Sequence, residues 1–107
     1  MGKHMRRLFL DDERFPPGDE ADWAIVRSFG EAVNWVEENG YPDYVSFDND
    51  LGPASREGWE FAQWLIDRDL DTGTMPADFG FAVHSMNPVR AKDIERRLTR
   101  YLEFRRT

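Results

Sequence analysis

Apolar residues along this chain follow two different periods, which divide it into strands and helices. A continuous apolar run within residues 6–12 predicts a first strand that is covered on both faces. Residues 23–28 alternate and are rich in Ile and Val, which predicts a second strand. The aromatic and β-branched start of the stretch 44–52 predicts a third strand, and the apolar residues of 79–85 predict a fourth.

Three other segments repeat apolar residues every three or four positions, which is the spacing of one helix face. They predict helices over residues 29–39, where Gly40 follows as a stop signal, and over residues 58–70. A last helix begins with Asn87 as its N-cap and Pro88 at its first position. The buried positions expected in the second and third helices are Phe61, Ala62, Leu65 and Ile66, and Ala91, Ile94, Leu98, Tyr101 and Leu102.

The connection between the first two strands is predicted to be a loop. Residues 13–22 contain Pro16, Pro17 and Gly18, which break a helix within one turn. The remaining strands are separated by helices, which implies parallel pairing and right-handed crossovers. We therefore predict one α/β domain spanning the chain, a small three-layer sandwich with four parallel strands in the order 2-1-3-4.

Composition narrows the classes of function. The chain has 107 residues and a formal charge of −7, which argues against nonspecific binding of the whole molecule to nucleic acid or to an anionic membrane. It has no cysteine, so disulfides and thiolate metal sites are excluded. No apolar run approaches the roughly 18 residues that cross a bilayer, so we expect no membrane partner and a cytoplasmic location. Residues 1–5 resemble the remnant of an expression tag, so His4 is given no weight.

The charge is unevenly distributed. Residues 88–107 carry seven basic and three acidic groups, so one basic helix accompanies an acidic body. The ordinary interpretation is a solvated helix face paired with nearby acids. The alternative is a surface that binds an RNA backbone or a protein partner, which salt-sensitive binding would reveal.

Chemistry-bearing residues follow the strands that this topology makes neighbours. Ligands of open α/β sheets bind beyond the carboxyl ends of the strands, so acids placed there face a site. Oxygen ligands in such number suit Mg²⁺ or Mn²⁺, while the histidine leaves Mn²⁺ or Zn²⁺ open, and a bound cation would relieve the repulsion between the acids. The residues expected at this edge are Asp11, Asp12, Asp48, Asp50, His84 and Ser85.

Each of these residues also has a structural interpretation. Residues 48–50 are turn formers that commonly cap a following helix, and a lone histidine at a strand end is more often structural than catalytic. Ser85 lacks the Gly-x-Ser-x-Gly context of a nucleophile, so with Asn87 it is a candidate for capping or for phosphate binding at a helix N-terminus. Arg14 and Arg90 are candidate phosphate ligands or solvated charges.

Three motifs resemble one family. They are Leu-Phe-Leu-Asp-Asp-Glu-Arg at 8–14, Ser-Phe-Asp-Asn-Asp-Leu-Gly at 46–52 and His-Ser-Met-Asn-Pro-Val at 84–89. Together they resemble the cyclic-phosphate processing receiver-like domain of bacteria and phages, a relative of response-regulator receivers. The resemblance implies a flavodoxin-like fold, a divalent cation and a ligand with a cyclic phosphate, such as an RNA 2′,3′-cyclic end. It also matches Asp11 and Asp12 to the acidic pair of receivers and Asp48 to their acceptor aspartate.

The chain departs from the family pattern in two ways. Asn49 stands where the family commonly has histidine, and Arg90 stands where it has a small residue. Compared with an ordinary receiver, the sequence also lacks the fifth strand, with its lysine, and the fifth helix. A standard phosphorelay switch is therefore not expected.

Two functions follow from these observations. The first is a metal-dependent phosphoesterase, with a cation held by Asp11, Asp12 and Asp48, and with Asp48, Asp50 and His84 as catalytic groups. Here Asp48 or a water attacks the phosphate, and His84 or Asp50 protonates the leaving oxygen. The alternative is a non-catalytic receiver that binds a protein or a phosphorylated ligand. Phosphoacceptance at Asp48 is a third possibility.

Overall fold

A computed structural model describes residues 5–18 and 22–106 of the protein. The sequence-based interpretations of residues 1–4 and of residues 19–21 in the first connection lie outside this described part. Within it, no helix is both long and apolar enough to cross a membrane. The elements are β1 (Arg7–Leu10), β2 (Trp23–Val26), α1 (Phe29–Asn39), β3 (Tyr44–Phe47), α2 (Gly58–Thr72), β4 (Gly80–Val83) and α3 (Pro88–Arg105).

The four strands form one parallel sheet in the order β2-β1-β3-β4. In β1, Leu10 is in register with Val26 on one side and with Phe47 on the other. Phe47 is in turn in register with Val83 of β4. The predicted α/β class and strand order are confirmed, and all four strands end at nearly the same level.

One face of the sheet carries the hydrophobic core. Alternate strand residues point to this face, among them Leu8, Leu10, Val45 and Phe47, none of which is exposed to solvent. All three helices contribute to the same cluster, through Ala32 and Val36, Phe61, Ala62, Leu65 and Ile66, and Ile94, Leu98 and Tyr101. The helices therefore lie side by side on one face of the sheet.

The other face of the sheet has no helix in the ranges that the structure describes. Its aromatic side chains cover one another, with Trp23 in edge contact with both Phe9 and Tyr44. This differs from the predicted three-layer sandwich. The physical reason is handedness. The β1–β2 connection runs in the direction opposite to the other connections, so the right-handed rule assigns it to the other face, and its described residues, 11–18 and 22, form no α-helix because Pro16 and Gly18 interrupt one.

Several element boundaries also differ from the sequence-based prediction, and β1 and β2 end two residues earlier than expected. Helix α2 continues to Thr72, two residues further than expected, and Gly73 ends it in the left-handed conformation with φ of 64°. The Gly73 N–H donates to the Asp69 carbonyl, so this glycine, three residues beyond the last apolar residue Leu70, was the true stop signal. Strand β4 is shorter than predicted and ends at Val83.

The start of α2 presses against the end of β3. A Cβ atom on Gly58 would lie 1.9 Å from the backbone oxygen of Asp48, and Gly58 donates its N–H to the Asn49 carbonyl at 2.8 Å. Only glycine permits this approach, and the approach fixes the backbone that carries Asp48.

We predict that Gly58→Ala lowers the free energy of unfolding by roughly 3 kcal/mol, because the added methyl forces backbone atoms apart. Gly30→Ala is the matched control, since that glycine is exposed in α1 and its Cβ would meet only Ser28 Oγ at 4.0 Å. The free energy of unfolding of the control should increase by about 0.5–1 kcal/mol, because alanine is a better helix former than glycine. Urea denaturation of the two variants measures this, and equal stabilities would contradict the close-approach argument.

Candidate functional site

Three adjacent strands each deliver one ionisable residue to the same edge of the sheet. Asp11, Asp48 and His84 directly follow the last residues of β1, β3 and β4. Because these strands are neighbours in register, one ligand atom from each residue lies within 4.8 Å of the other two. Asp48 and His84 lie 37 and 73 positions after Asp11 in the sequence, and the fold brings all three together.

Asp11 is a fully buried carboxylate with its hydrogen bonds satisfied. Its Oδ1 accepts the backbone N–H groups of Glu13 and Arg14 at 2.9 and 2.8 Å, and its Oδ2 lies 3.0 Å from His84 Nε2. Burial alone raises the pKa of Asp11, but these hydrogen bonds and the Arg14 charge outweigh it. The pKa of Asp11 is therefore below the ordinary 3.8, and the residue is an anion at neutral pH.

Asp48 is also buried, but it has fewer hydrogen-bonding and charged partners than Asp11. Its Oδ1 accepts the N–H of Asn49 at 2.8 Å, and its other oxygen lies 3.6 Å from an Arg14 nitrogen. Burial and then the negative charge of Asp11 raise the pKa of Asp48 above 3.8. The site therefore holds one stabilised anion and one destabilised anion side by side.

Arg14 lies between the two carboxylates. Its Nε donates to Asp11 Oδ2 at 2.9 Å, while Nη2 is 3.6 Å from Asp48 Oδ2. Its backbone carbonyl accepts the guanidinium of Arg27 at 2.6 Å, and Arg27 also donates to the Asp11 carbonyl at 3.0 Å. Sequence reasoning identified Arg14 but missed Arg27, which lies at the end of β2 with no motif around it.

His84 is held on three sides. Its Nδ1 lies 2.7 Å from Ser46 Oγ, and its ring is stacked on Phe9 with a centroid distance of 4.6 Å and an interplanar angle of 3°. With Asp11 at Nε2, both ring nitrogens have partners. Ser46 was missed by sequence reasoning, although a lone hydroxyl in an otherwise apolar buried strand was the available signal.

A solvent-accessible pocket of 660 Å³ opens beside these residues, within the 300–1,000 Å³ typical of ligand sites. Asp12 and Asp50 are exposed on its wall, and the Asp50 carboxylate accepts the N–H of Gly52 at 3.2 Å. Asp12 is not among the residues whose ligand atoms meet, since His84 takes that place beside Asp11 and Asp48. The pocket is lined by Asp12, Glu13, Arg14, Asp48, Asp50, Ser85, Met86 and Asn87.

Ser85 and Asn87 line the pocket but also hold the start of α3. The Asn87 side chain accepts the N–H groups of Val89 and Arg90 at 3.1 Å each, and Ser85 Oγ accepts the N–H of Asn87 at 3.1 Å. The capping role considered from the sequence is therefore present, and it occupies two of the helix N–H groups that an anion would use.

Arg90 points away from the pocket. Its Nε is 3.8 Å from a Glu57 oxygen, and its guanidinium lies 5.8 Å from the Trp59 ring centre. Asn49, at the position where the family resemblance predicts histidine, is buried and joins Glu57 at 2.7 Å and the Trp59 N–H at 3.1 Å. Both residues thus anchor α2 and α3 instead of facing a ligand.

The meeting residues fit a divalent cation. Two carboxylates and one imidazole are a donor set of the kind that Mn²⁺ accepts, with oxygen ligands also suited to Mg²⁺. The geometry agrees with this assignment, because ligand atoms of Asp11, Asp48 and His84 lie within 4.8 Å of one another and a cation among them would offset the adjacent carboxylate charges. Burial and then the Asp11 charge raise the pKa of Asp48, which is consistent with a place for positive charge.

Comparison with known proteins adds a family and a fold. The profile of the family described as the cyclic-phosphate processing receiver domain matches residues 6–100. No curated protein matches the chain. A solved structure described as a yeast Spc42 trimeric coiled-coil segment fused to another structure has a TM-score of 0.50 and 18% sequence identity, and covers 92% of this chain and 78% of that chain. At this identity the likeness shows the fold alone.

We predict opposite effects of neutralising the two buried acids in metal-free buffer. Above pH 3.8 the unfolded chain ionises Asp48 more readily than the folded chain does, so its charge destabilises the fold, and Asp48→Asn should raise Tm by roughly 4 °C at pH 7. The gain should vanish as the pH falls below 3.8, where both states are protonated. Asp11→Asn should instead lower Tm at pH 7, because the lowered pKa means that its charge stabilises the fold.

Thermal unfolding followed by circular dichroism across pH 3–8 checks both variants. If Asp48→Asn is destabilised at pH 7 as strongly as Asp11→Asn, the two carboxylates are equivalent and the charge argument is wrong.

Proposed function

This chain belongs to the cyclic-phosphate processing receiver domain family, and we propose that it hydrolyses a cyclic phosphodiester in the pocket at the ends of β1, β3 and β4. The observation that carries the proposal is the meeting of Asp11, Asp48 and His84 beside an open pocket that also contains an arginine. Acids, an imidazole and a guanidinium at one sheet edge beside a pocket are groups that phosphoryl transfer uses.

The proposed cofactor is a divalent cation, Mn²⁺ or Mg²⁺. Asp11 and Asp48 would supply carboxylate oxygens and His84 a ring nitrogen, while Asp12, which lines the adjoining pocket, is proposed to bind water molecules of the hydrated ion. When bound, such an ion would supply positive charge for the phosphate oxygens during the reaction.

The chain's own residues provide proton transfer and binding. Asp50 is exposed in the pocket wall and accepts the proton that an attacking water loses. The water oxygen joins the phosphorus, one ring P–O bond breaks, and the departing sugar oxygen takes a proton from solvent at the pocket mouth. Arg14 binds the phosphate, and Ser46 keeps the His84 ring in place through Nδ1.

We further propose that the substrate is an RNA with a 2′,3′-cyclic end. Lys92, Arg96 and Arg100 are exposed and four positions apart, so they form one basic stripe along α3, which begins at the pocket. Other α3 arginines are engaged within the fold, since Arg97 contacts Gln63 and Asp93. An RNA strand leaving the pocket would meet the stripe.

We expect turnover of a 2′,3′-cyclic phosphate to require the cation, to stop on chelation with EDTA and to fall at least about 100-fold in Asp48→Asn. The assay compares cyclic mononucleotides with short RNA carrying a cyclic end at two salt concentrations, since the basic stripe should favour RNA at low salt. Asp67→Asn is the control, because this acid is exposed on α2 and contacts only Gln63 among the described residues. Tight binding without turnover would instead identify a non-catalytic binding module, and a fully active Asp48→Asn would refute its assigned role.

Ser46→Ala is expected to lower both Mn²⁺ affinity and turnover by about 10-fold, because it removes the partner of His84 Nδ1 and leaves the ring free to rotate. Ser55→Ala is the matched control, because it also removes a serine hydroxyl but at another place, where Ser55 Oγ accepts the Phe29 N–H at the start of α1. Its loss should affect stability and not turnover. Calorimetric Mn²⁺ titration and the hydrolysis assay measure the two effects, and unchanged Mn²⁺ affinity in Ser46→Ala would remove the serine from the site.

A further inference from the structure

Arg14 is bound to the same two carboxylates that form the proposed cation site. Its Nε and Nη2 reach Asp11 Oδ2 and Asp48 Oδ2 at 2.9 and 3.6 Å. A guanidinium placed this way supplies the positive charge that two adjacent buried acids need. It also uses one oxygen of each acid, so a cation that takes these oxygens must compete with it.

The backbone of Arg14 is fixed by hydrogen bonds, while its side chain is partly exposed to solvent. The residue donates its N–H to Asp11 Oδ1 at 2.8 Å, and its carbonyl accepts Arg27 at 2.6 Å. The Arg14 side chain is 44% exposed, unlike the Asp11 side chain at 0%. A change of side-chain rotamer would therefore withdraw the guanidinium from the acids without disturbing the segment that holds Asp11.

The released guanidinium would remain in the pocket. Arg14 lines the 660 Å³ cavity together with Asp12, Asp50 and Ser85, and the acidic members of this wall do not attract a phosphate. No lysine or other arginine lines this cavity in the part of the chain that the structure describes. An anionic ligand in the pocket therefore depends on Arg14 for a side-chain cation.

We propose that Arg14 is an internal counter-ion that a divalent cation displaces, and that the displaced guanidinium then binds the phosphate of the ligand. The cation and the anion consequently bind cooperatively, because the first releases the residue that the second needs. This inference rests on the proposed cation site, and it adds an order of binding that the site alone does not imply.

The test measures two affinities of Arg14→Gln by isothermal titration calorimetry. The probes are Mn²⁺ alone, and inorganic phosphate in the presence of saturating Mn²⁺. We expect Mn²⁺ affinity to increase about 10-fold, because the competing charge is gone, and phosphate affinity to fall about 10-fold. Arg68→Gln is the matched control, since it removes an arginine that pairs with Glu37 on another surface, and it should change neither affinity.

The expected changes in Mn²⁺ affinity and phosphate affinity have opposite signs, which distinguishes the counter-ion role of Arg14 from a purely structural role. If the substitution merely damaged the β1–β2 connection, the affinities for Mn²⁺ and for phosphate would both fall, and this result would overturn the proposal. Arg14→Lys, which keeps the charge without the planar fork, should give intermediate values for both. If the wild type and Arg14→Gln bind Mn²⁺ equally, the counter-ion role is wrong while the cation site stands. If neither protein binds Mn²⁺, the cation site itself is wrong and this inference falls with it.

Discussion

Repulsion between two buried carboxylates is the constraint on which the site depends. Parallel pairing of β1 with β3 places Asp11 and Asp48 at equivalent positions just past the strand ends, so the fold itself forces the two charges together. Elsewhere the chain shows how a buried acid is satisfied. Asp69, at the far end of α2, accepts Tyr101 and the Met75 N–H and pairs with Arg105. Among the described residues, Asp48 has only the Asn49 N–H at 2.8 Å and the more distant Arg14 guanidinium at 3.6 Å, which is why we propose a site for positive charge beside it.

The turns that carry Asp11 and Asp48 are held by close packing and hydrogen bonds, while the pocket beside them is open to solvent. Glycine at position 58 lets α2 press on the backbone of Asp48, and Asn49 ties the same turn to α2 through its side chain. Arg27 fixes the turn after β1 in a similar way. The pocket wall, by contrast, consists of exposed side chains, so ligands can enter without unfolding the residues that hold the charges.

The strand order of the sheet and the proximity of Asp11 and Asp48 could both be predicted from the sequence, and for the same reason. Strand order follows from connection type and handedness, and neighbouring strand ends must then share an edge. Side-chain direction was not predictable, since it depends on rotamers and on tertiary partners. Thus Arg90 turns to Glu57 instead of the pocket, and Ser46 of β3 contacts His84 at the end of the neighbouring strand β4. The sheet face that carries no helix in the described residues was not predicted, although a loop between β1 and β2 already removes the helix that a third layer would need.

The most direct test of the central claim is a crystal structure of the protein soaked with Mn²⁺, with anomalous scattering recorded near the manganese edge. We predict one anomalous peak about 2.0–2.3 Å from oxygens of Asp11 and Asp48 and from the His84 ring, with the Arg14 guanidinium withdrawn from both acids. An Arg14 guanidinium still seated between the two carboxylates at saturating Mn²⁺, with no peak beside them, would contradict it.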